Sequence, residues 1–141
     1  MYSVFFDTNT FLRYYLRDNE QQYAECQTLF TLSEQKYIIP HTSSAVCLEV
    51  YYVLTKTYRL KKDRALLFLE NIFNLQHLTL IEKTNITDAI KLHKKTKIKL
   101  ADCIIALQVP KNCLLCTYGK DFQKIDTVTA HTPKELLALL S

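Results

Sequence analysis

Short β-type runs alternate with helical patterns along the whole chain, and this alternation leaves few folds open. The runs are Tyr2 to Phe6, Tyr37-Ile38-Ile39 stopped by Pro40, His77 to Ile81, Cys113 to Thr117, and Val128-Thr129-Ala130. Between them apolar residues recur at helical intervals. A helix is expected from Thr8-Asn9 to about Leu16, another from Glu20 to Leu32, and a third through Lys56 with Thr42, Ser43 and Ser44 as N-cap candidates. Further helices are expected over Lys61 to Phe73, Asn85 to Lys95 and roughly Lys99 to Leu107. Thr132-Pro133-Lys134-Glu135 supplies the N-cap, N1 proline and acidic first turn of a last one. Strands that alternate with helices pair in parallel, and a parallel sheet needs helices over both faces. The expected architecture is α/β, with three layers and a mostly parallel sheet of about five strands. At 141 residues, with no repeat, low-complexity tract or long linker, one domain over 1–141 is expected.

Four acidic residues sit beside apolar runs, where carboxylates are unfavourable. Asp7 ends Val4-Phe5-Phe6, and Glu49 interrupts the stretch from Ala45 to Leu54. Asp102 splits Leu100-Ala101 from Cys103-Ile104-Ile105-Ala106-Leu107, and Asp121 follows Leu114-Leu115-Cys116 after a polar gap. An ionised carboxylate at a core is costly unless paired, hydrogen-bonded or holding a cation. No matching basic residues lie in the same runs, so the economical reading is one divalent metal site. Ligands in α/β folds lie outside the carboxyl ends of the strands, where strand order reverses. Asp7 and the Thr117-to-Asp121 segment follow strands, while Glu49 and Asp102 project from helices, so all four can reach one cleft. Mg²⁺ prefers carboxylate oxygen, and such ions activate water and stabilise the leaving oxygen of a phosphodiester. The alternatives are bland: Asp7 and Asp121 as helix starts, Glu49 and Asp102 on a wet helix edge. Thr8, Asn9, Ser43 and Thr117 are supporting candidates, as groups that orient a carboxylate or a water.

Composition adds bounds. The net charge of +4 permits an anionic partner without requiring one. The longest apolar stretch, Ala45 to Leu54, falls short of the roughly 20 residues a membrane span needs. Met1-Tyr2-Ser3 lacks the basic start of a signal peptide, and a cytoplasmic protein is expected. The five cysteines, an odd number mostly in apolar segments, fit that compartment. Cys113 and Cys116 have C-x-x-C spacing, but they lie in a strand-like run and no second Cys/His pair completes a zinc set. The four histidines show no ligand spacing.

The acidic segments together resemble a known family. Val4-Phe5-Phe6-Asp7-Thr8-Asn9 resembles the opening of PIN domains, and Ser43 to Val50 their serine-to-glutamate helix. Leu100 to Ala106 is similar to their "xxDxxIAA" motif, and Cys116-Thr117-Tyr118-Gly119-Lys120-Asp121-Phe122 to their "TxDxDF" segment. The order and spacing fit over nearly the whole chain. The resemblance implies a PIN-like fold and a Mg²⁺- or Mn²⁺-dependent ribonuclease with Asp7, Glu49, Asp102 and Asp121 as metal and catalytic residues. The single-domain form most resembles VapC-type toxins of toxin–antitoxin pairs, which implies a homodimer, an antitoxin partner and an RNA substrate. There is one departure. Gly119 stands where the motif often has its first Asp, and Asp121 matches the second.

Lys91, Lys94, Lys95, Lys97, Lys99, Lys120 and Lys124 are candidates for tracking an RNA backbone, against a solvated helix end. Tyr14, Tyr15, Tyr51, Tyr52 and Tyr58 are candidates for the core or a dimer surface, or for stacking on a base. Three rivals remain: an RNA-maturation nuclease of the same fold, a binding module that has lost its metal at Gly119, and a receiver-like phosphoacceptor. The last requires an Asp ending a central strand and a Lys ending a late one, neither of which the sequence displays.

Overall fold

Each expected strand forms, and all five join one sheet in a computed structural model that describes every residue from Met1 to Ser141. The strands are β1 (Tyr2–Phe6), β2 (Ile38–Ser43), β3 (Thr79–Ile81), β4 (Leu114–Cys116) and β5 (Ala130–His131). Their order is β3-β2-β1-β4-β5, and every neighbouring pair is parallel. Seven helices flank the sheet: α1 (Thr8–Leu16), α2 (Glu20–Glu34), α3 (Ser44–Lys56), α4 (Lys62–Phe73), α5 (Ile86–Thr96), α6 (Leu100–Gln108) and α7 (Pro133–Leu140). This is the three-layer α/β arrangement that the alternation implies.

The chain lays β2 and β3 on one side of β1, then returns to lay β4 and β5 on the other. Strand order therefore reverses between β1 and β4, which opens a crevice at their carboxyl ends. Val4, Phe5 and Phe6 are fully buried, as a central strand covered on both faces requires. Phe6 lies 6.1 Å from the Phe11 ring and 5.1 Å from Phe30, centroid to centroid, which ties α1 and α2 to β1. In register, Phe6 faces Cys116, so the residues just past them, Asp7 and Thr117, become neighbours across the crevice.

Three strand boundaries differ from expectation. β2 runs through Pro40 to Ser43 instead of stopping at Ile39. Pro40 lacks a ladder donor, but β3 joins β2 only from His41 onward, so one side of Pro40 has no neighbour to serve. β3 begins at Thr79, because His77 takes a left-handed turn (φ 63°). β5 is shifted to Ala130–His131, since Val128 is held in a turn by its N–H to the Ile125 carbonyl, 3.4 Å away. The helices agree with expectation to within about two residues at each end. Cys113 and Cys116 are buried free thiols at the strand, and residues three apart on an extended chain point to opposite faces, so they form no shared ligand pair.

Side chains close four helix starts, with Asn19 capping α2 and Asn85 capping α5. Thr132 and Glu135 form a reciprocal capping box at α7. Ser43, fully buried, accepts from the Val46 N–H at 3.2 Å and so fixes the start of α3. Replacing Ser43 by Ala leaves that N–H buried and unpartnered. A loss of about 1–2 kcal/mol in unfolding free energy is expected, measured by urea denaturation.

Candidate active site

Asp7 stands at the junction of β1 and α1, with only 4 % of its surface exposed. Its backbone N–H donates to the Cys116 carbonyl at 3.0 Å, extending the β1–β4 ladder by one step. The Thr117 hydroxyl donates to Asp7 Oδ2 at 2.7 Å. Although Asp7 occupies the N-cap position of α1, its side chain makes no capping bond, so the simple cap reading does not hold. Oδ1 is buried without a hydrogen-bond partner, as is the hydroxyl of Thr8 beside it. Burial pushes the Asp7 carboxyl up to about 6; the Thr117 bond opposes that shift, and the charges of Glu49 and Asp102 add to it.

Asp102 lies in the field of two of the other acids. Asp102, half-buried in the first turn of α6, is raised chiefly by burial; Lys99 opposes this, and Glu49 and Asp121 add to it. Asp7, Glu49, Asp102 and Asp121 thus share one field, and all four line a single open cleft of about 1030 Å³. They contribute unequally. Asp121 opens a short 3₁₀ turn (Asp121–Lys124), is exposed, and lies 3.5 Å from Lys124 Nζ. No three acidic, His or Cys side chains are drawn into a geometry that would hold a metal ion.

The supporting residues separate into two groups. Thr8 and Asn9 line the cleft. Thr117 holds Asp7, while its Oγ1 also accepts from the Gly119 N–H at 2.9 Å. Ser43 acts one step back, by capping the helix that carries Glu49. Among the candidate lysines only Lys99 lines the cleft; those on α5 are exposed elsewhere, and Lys124 pairs with Asp121. Three residues went unassigned by the sequence reading. Lys56 lines the cleft from the end of α3, and its seven-residue spacing from Glu49 was the available signal. Tyr118 anchors the Thr117 loop, its hydroxyl donating to Glu25 Oε1 at 2.9 Å. Phe122, buried, closes the floor beneath Gly119.

The profile of the PIN domain matches residues 4–128. The chain belongs to the PIN-domain family. A search of curated protein sequences finds no match. Among solved structures, the PIN chain is similar to the VapBC2 structure from Rickettsia felis bound to a DNA fragment from its promoter. There the TM-score is 0.67 at 19% identity, covering 92% of this chain and 98% of that one. It is also similar to a toxin–antitoxin complex from Klebsiella pneumoniae, with a TM-score of 0.59, 24% identity, and 92% and 97% covered. At these identities the likeness concerns the fold. The receiver-like alternative fails on the same grounds and on topology. Asp7 does end the central strand, contrary to expectation, but β4 is followed by Thr117 and β5 by Thr132, not by lysine.

Cation chemistry fits the donors of this PIN domain. Every acid on the cleft offers hard oxygen, no imidazole or thiolate intrudes, and Asp7 presents a buried oxygen with no partner of its own.

Two outcomes test this electrostatic picture. A carboxyl whose folded pKa is raised stabilises the fold below its unfolded value, and that contribution is lost as pH climbs through about 6. With divalent ions chelated, Asp7→Asn is therefore expected to gain on the unaltered protein between about pH 4 and pH 7. The gain is on the order of 2–3 kcal/mol, read from paired denaturation curves. Gly119→Ala is expected to act the other way. A Cβ there would lie 3.3 Å from both Phe122 Cδ2 and Thr117 Oγ1, one packed and the other pinned by hydrogen bonds. A loss of about 1–2 kcal/mol is expected in the same assay.

Proposed function

We propose that this PIN-domain protein is an endoribonuclease that hydrolyses RNA phosphodiester bonds with Mg²⁺ or Mn²⁺, and that it is the toxin of a type II toxin–antitoxin pair. The observation that carries the proposal is Asp7: buried at the strand-order reversal, held through one oxygen by Thr117, its other oxygen unpartnered on a cleft shared with three more acids. A scaffold leaves such a group uncompensated where a ligand of opposite charge completes it.

Asp7, Glu49 and Asp102 would hold the cation, with Asp121 completing the set from the rim. When bound, the cation supplies Lewis acidity, which makes water a nucleophile at neutral pH and offsets charge at phosphorus. Thr117 keeps Oδ2 oriented so that Oδ1 stays on the cleft, and Thr8 and Asn9 place a hydroxyl and an amide beside it. Attack by water rather than by the 2′-hydroxyl leaves a 5′-phosphate and a 3′-hydroxyl.

The partner reading draws on the relatives. The structures similar to this chain are described as a VapBC pair and a toxin–antitoxin complex, which supports a cognate antitoxin as partner here. A homodimer working in the cytoplasm accords with that reading, and no helix is long and apolar enough to cross a membrane. An RNA-maturation nuclease would use the same site. Gly119, standing where the family motif often has an acid, gives weight to one further alternative, a binding module with a weakened metal site.

Cleavage of a mixed RNA pool with Mn²⁺, Mg²⁺ or chelator, using the unaltered protein and Asp7→Asn, separates these readings. Metal-dependent cutting that falls more than about a hundredfold in Asp7→Asn is expected. Both proteins folded, metal-supplied and equally inert would instead establish the binding module.

A further inference from the structure

We infer that the chain holds a second ligand site, a pocket between the end of β3, the start of α5 and the end of α6, and that it binds a free nucleoside monophosphate. This pocket shares no lining residue with the acidic cleft.

The pocket encloses about 510 Å³, within the range of sites that take small ligands. It opens beside Ile81, the last residue of β3, and so at the carboxyl end of the sheet. Lys83 is its one charged lining residue, and no carboxylate lines it. Lys83 makes no ion pair.

The start of α5 leaves donors unspent. The first N–H groups of a helix have no partner within it. Here the Asn85 side chain accepts from the Asp88 N–H, while those of Ile86 and Thr87 have no acceptor. Both residues line the pocket. Asp88, the acid of this turn, does not: its Oδ2 accepts from Asn85 Nδ2 at 2.7 Å.

Gln108 supplies an independent sign of a ligand. It lines the pocket from the end of α6 with only 4 % of its surface exposed. Its Nε2 donates to the Thr84 hydroxyl, and its Oε1 is buried without a partner. A hydroxyl that accepts in this way keeps its own proton to give, so Thr84 adds a donor to the pocket. The amide oxygen stays a cost to the fold until an N–H or O–H reaches it.

The matching ligand therefore joins an anion to a hydrogen-bond donor. Two backbone N–H groups, a hydroxyl and an unpaired lysine suit the several oxygens of a phosphate better than a carboxylate. Ile81 and Leu107 offer apolar flanks to a flat body. A nucleobase has such a body and carries an N–H on its edge for Gln108 Oε1. A nucleoside monophosphate thus brings anion, ring face and donor in one molecule.

The test is a titration of the intact protein followed by amide NMR, with divalent ions chelated so that the acidic cleft holds no cation. The probes are the adenosine, guanosine, cytidine and uridine monophosphates, their nucleosides, and inorganic phosphate. At least one monophosphate is expected to shift the Ile86 and Thr87 signals with a Kd below about 1 mM. Nucleoside and phosphate alone are expected to bind at least about tenfold more weakly. Lys83→Ala and Gln108→Met are each expected to weaken nucleotide binding about tenfold. Lys91→Ala, an exposed lysine farther along α5, is expected to leave it unchanged. Lys83 is exposed and unpaired, so its loss leaves the fold intact and gives a check independent of the buried Gln108. Ile86 and Thr87 signals that stay fixed up to about 10 mM nucleotide overturn the proposal. So do shifts confined to the acidic cleft, or binding that either variant, once folded, leaves unaltered. Inorganic phosphate held as tightly as every nucleotide overturns the assignment as well, and makes the pocket a plain anion site.

Discussion

The hydrogen bond from Thr117 to Asp7 is the contact on which the site depends. It joins the first residue beyond β1 to the first residue beyond β4, across the one gap in the sheet where strand order reverses. The two residues meet only because β1 and β4 are parallel and in a register that sets Phe6 opposite Cys116. A slip of one residue in either strand would turn its side chain to the other face and part the pair. Packing protects that register. Phe6, Phe11 and Phe30 interlock beneath it, and Tyr118, anchored on Glu25, holds the loop that carries Thr117. The core thus acts on the site through position, fixing a single oxygen of a single carboxylate.

Against that fixed point the remaining acids work at an electrostatic disadvantage. Glu49 and Asp102 both raise the Asp7 carboxyl, and Glu49 and Asp121 both raise Asp102. Lys99 is the one cation that relieves this repulsion from within the group, and it is exposed. A fold optimised for stability alone would neutralise the cleft or fill it with apolar side chains. The persistence of four carboxylates around one crevice is the physical argument that the crevice is used.

Much of this arrangement was legible in the sequence because it depends on period and punctuation. The apolar run ending at Asp7, the helical spacing around Glu49 and Asp102, and the Thr132–Glu135 cap are local patterns, and the fold follows them. What was hidden depends on tertiary neighbours. Pro40 looks like a strand terminator until β3 proves to join β2 only beyond it. His77 looks like a strand residue because the chain, with its single glycine, places ordinary residues such as Arg17, Lys36, His77 and Lys97 in left-handed turns. Lys56 and the lysines of α5 look alike in sequence, and only the packing of α3 and α6 against the crevice separates them. The Thr117–Asp7 bond spans 110 residues, and no local pattern encodes it.

Gly119 gains a physical meaning from the same geometry. Its Cα faces the Phe122 ring and the Thr117 hydroxyl, and any Cβ would press on both. An Asp at this position would add a fifth carboxylate to the cleft, and would do so by pushing on the hydroxyl that holds Asp7. With Gly119, that hydroxyl accepts the glycine N–H and donates to Asp7, so the backbone of the loop and the buried carboxylate are fixed by one atom. The departure from the family motif therefore removes a charge at the rim and secures the orientation of the charge at the centre. For a cleft already strained by like charges, that exchange favours one well-placed acid over an additional loosely held one.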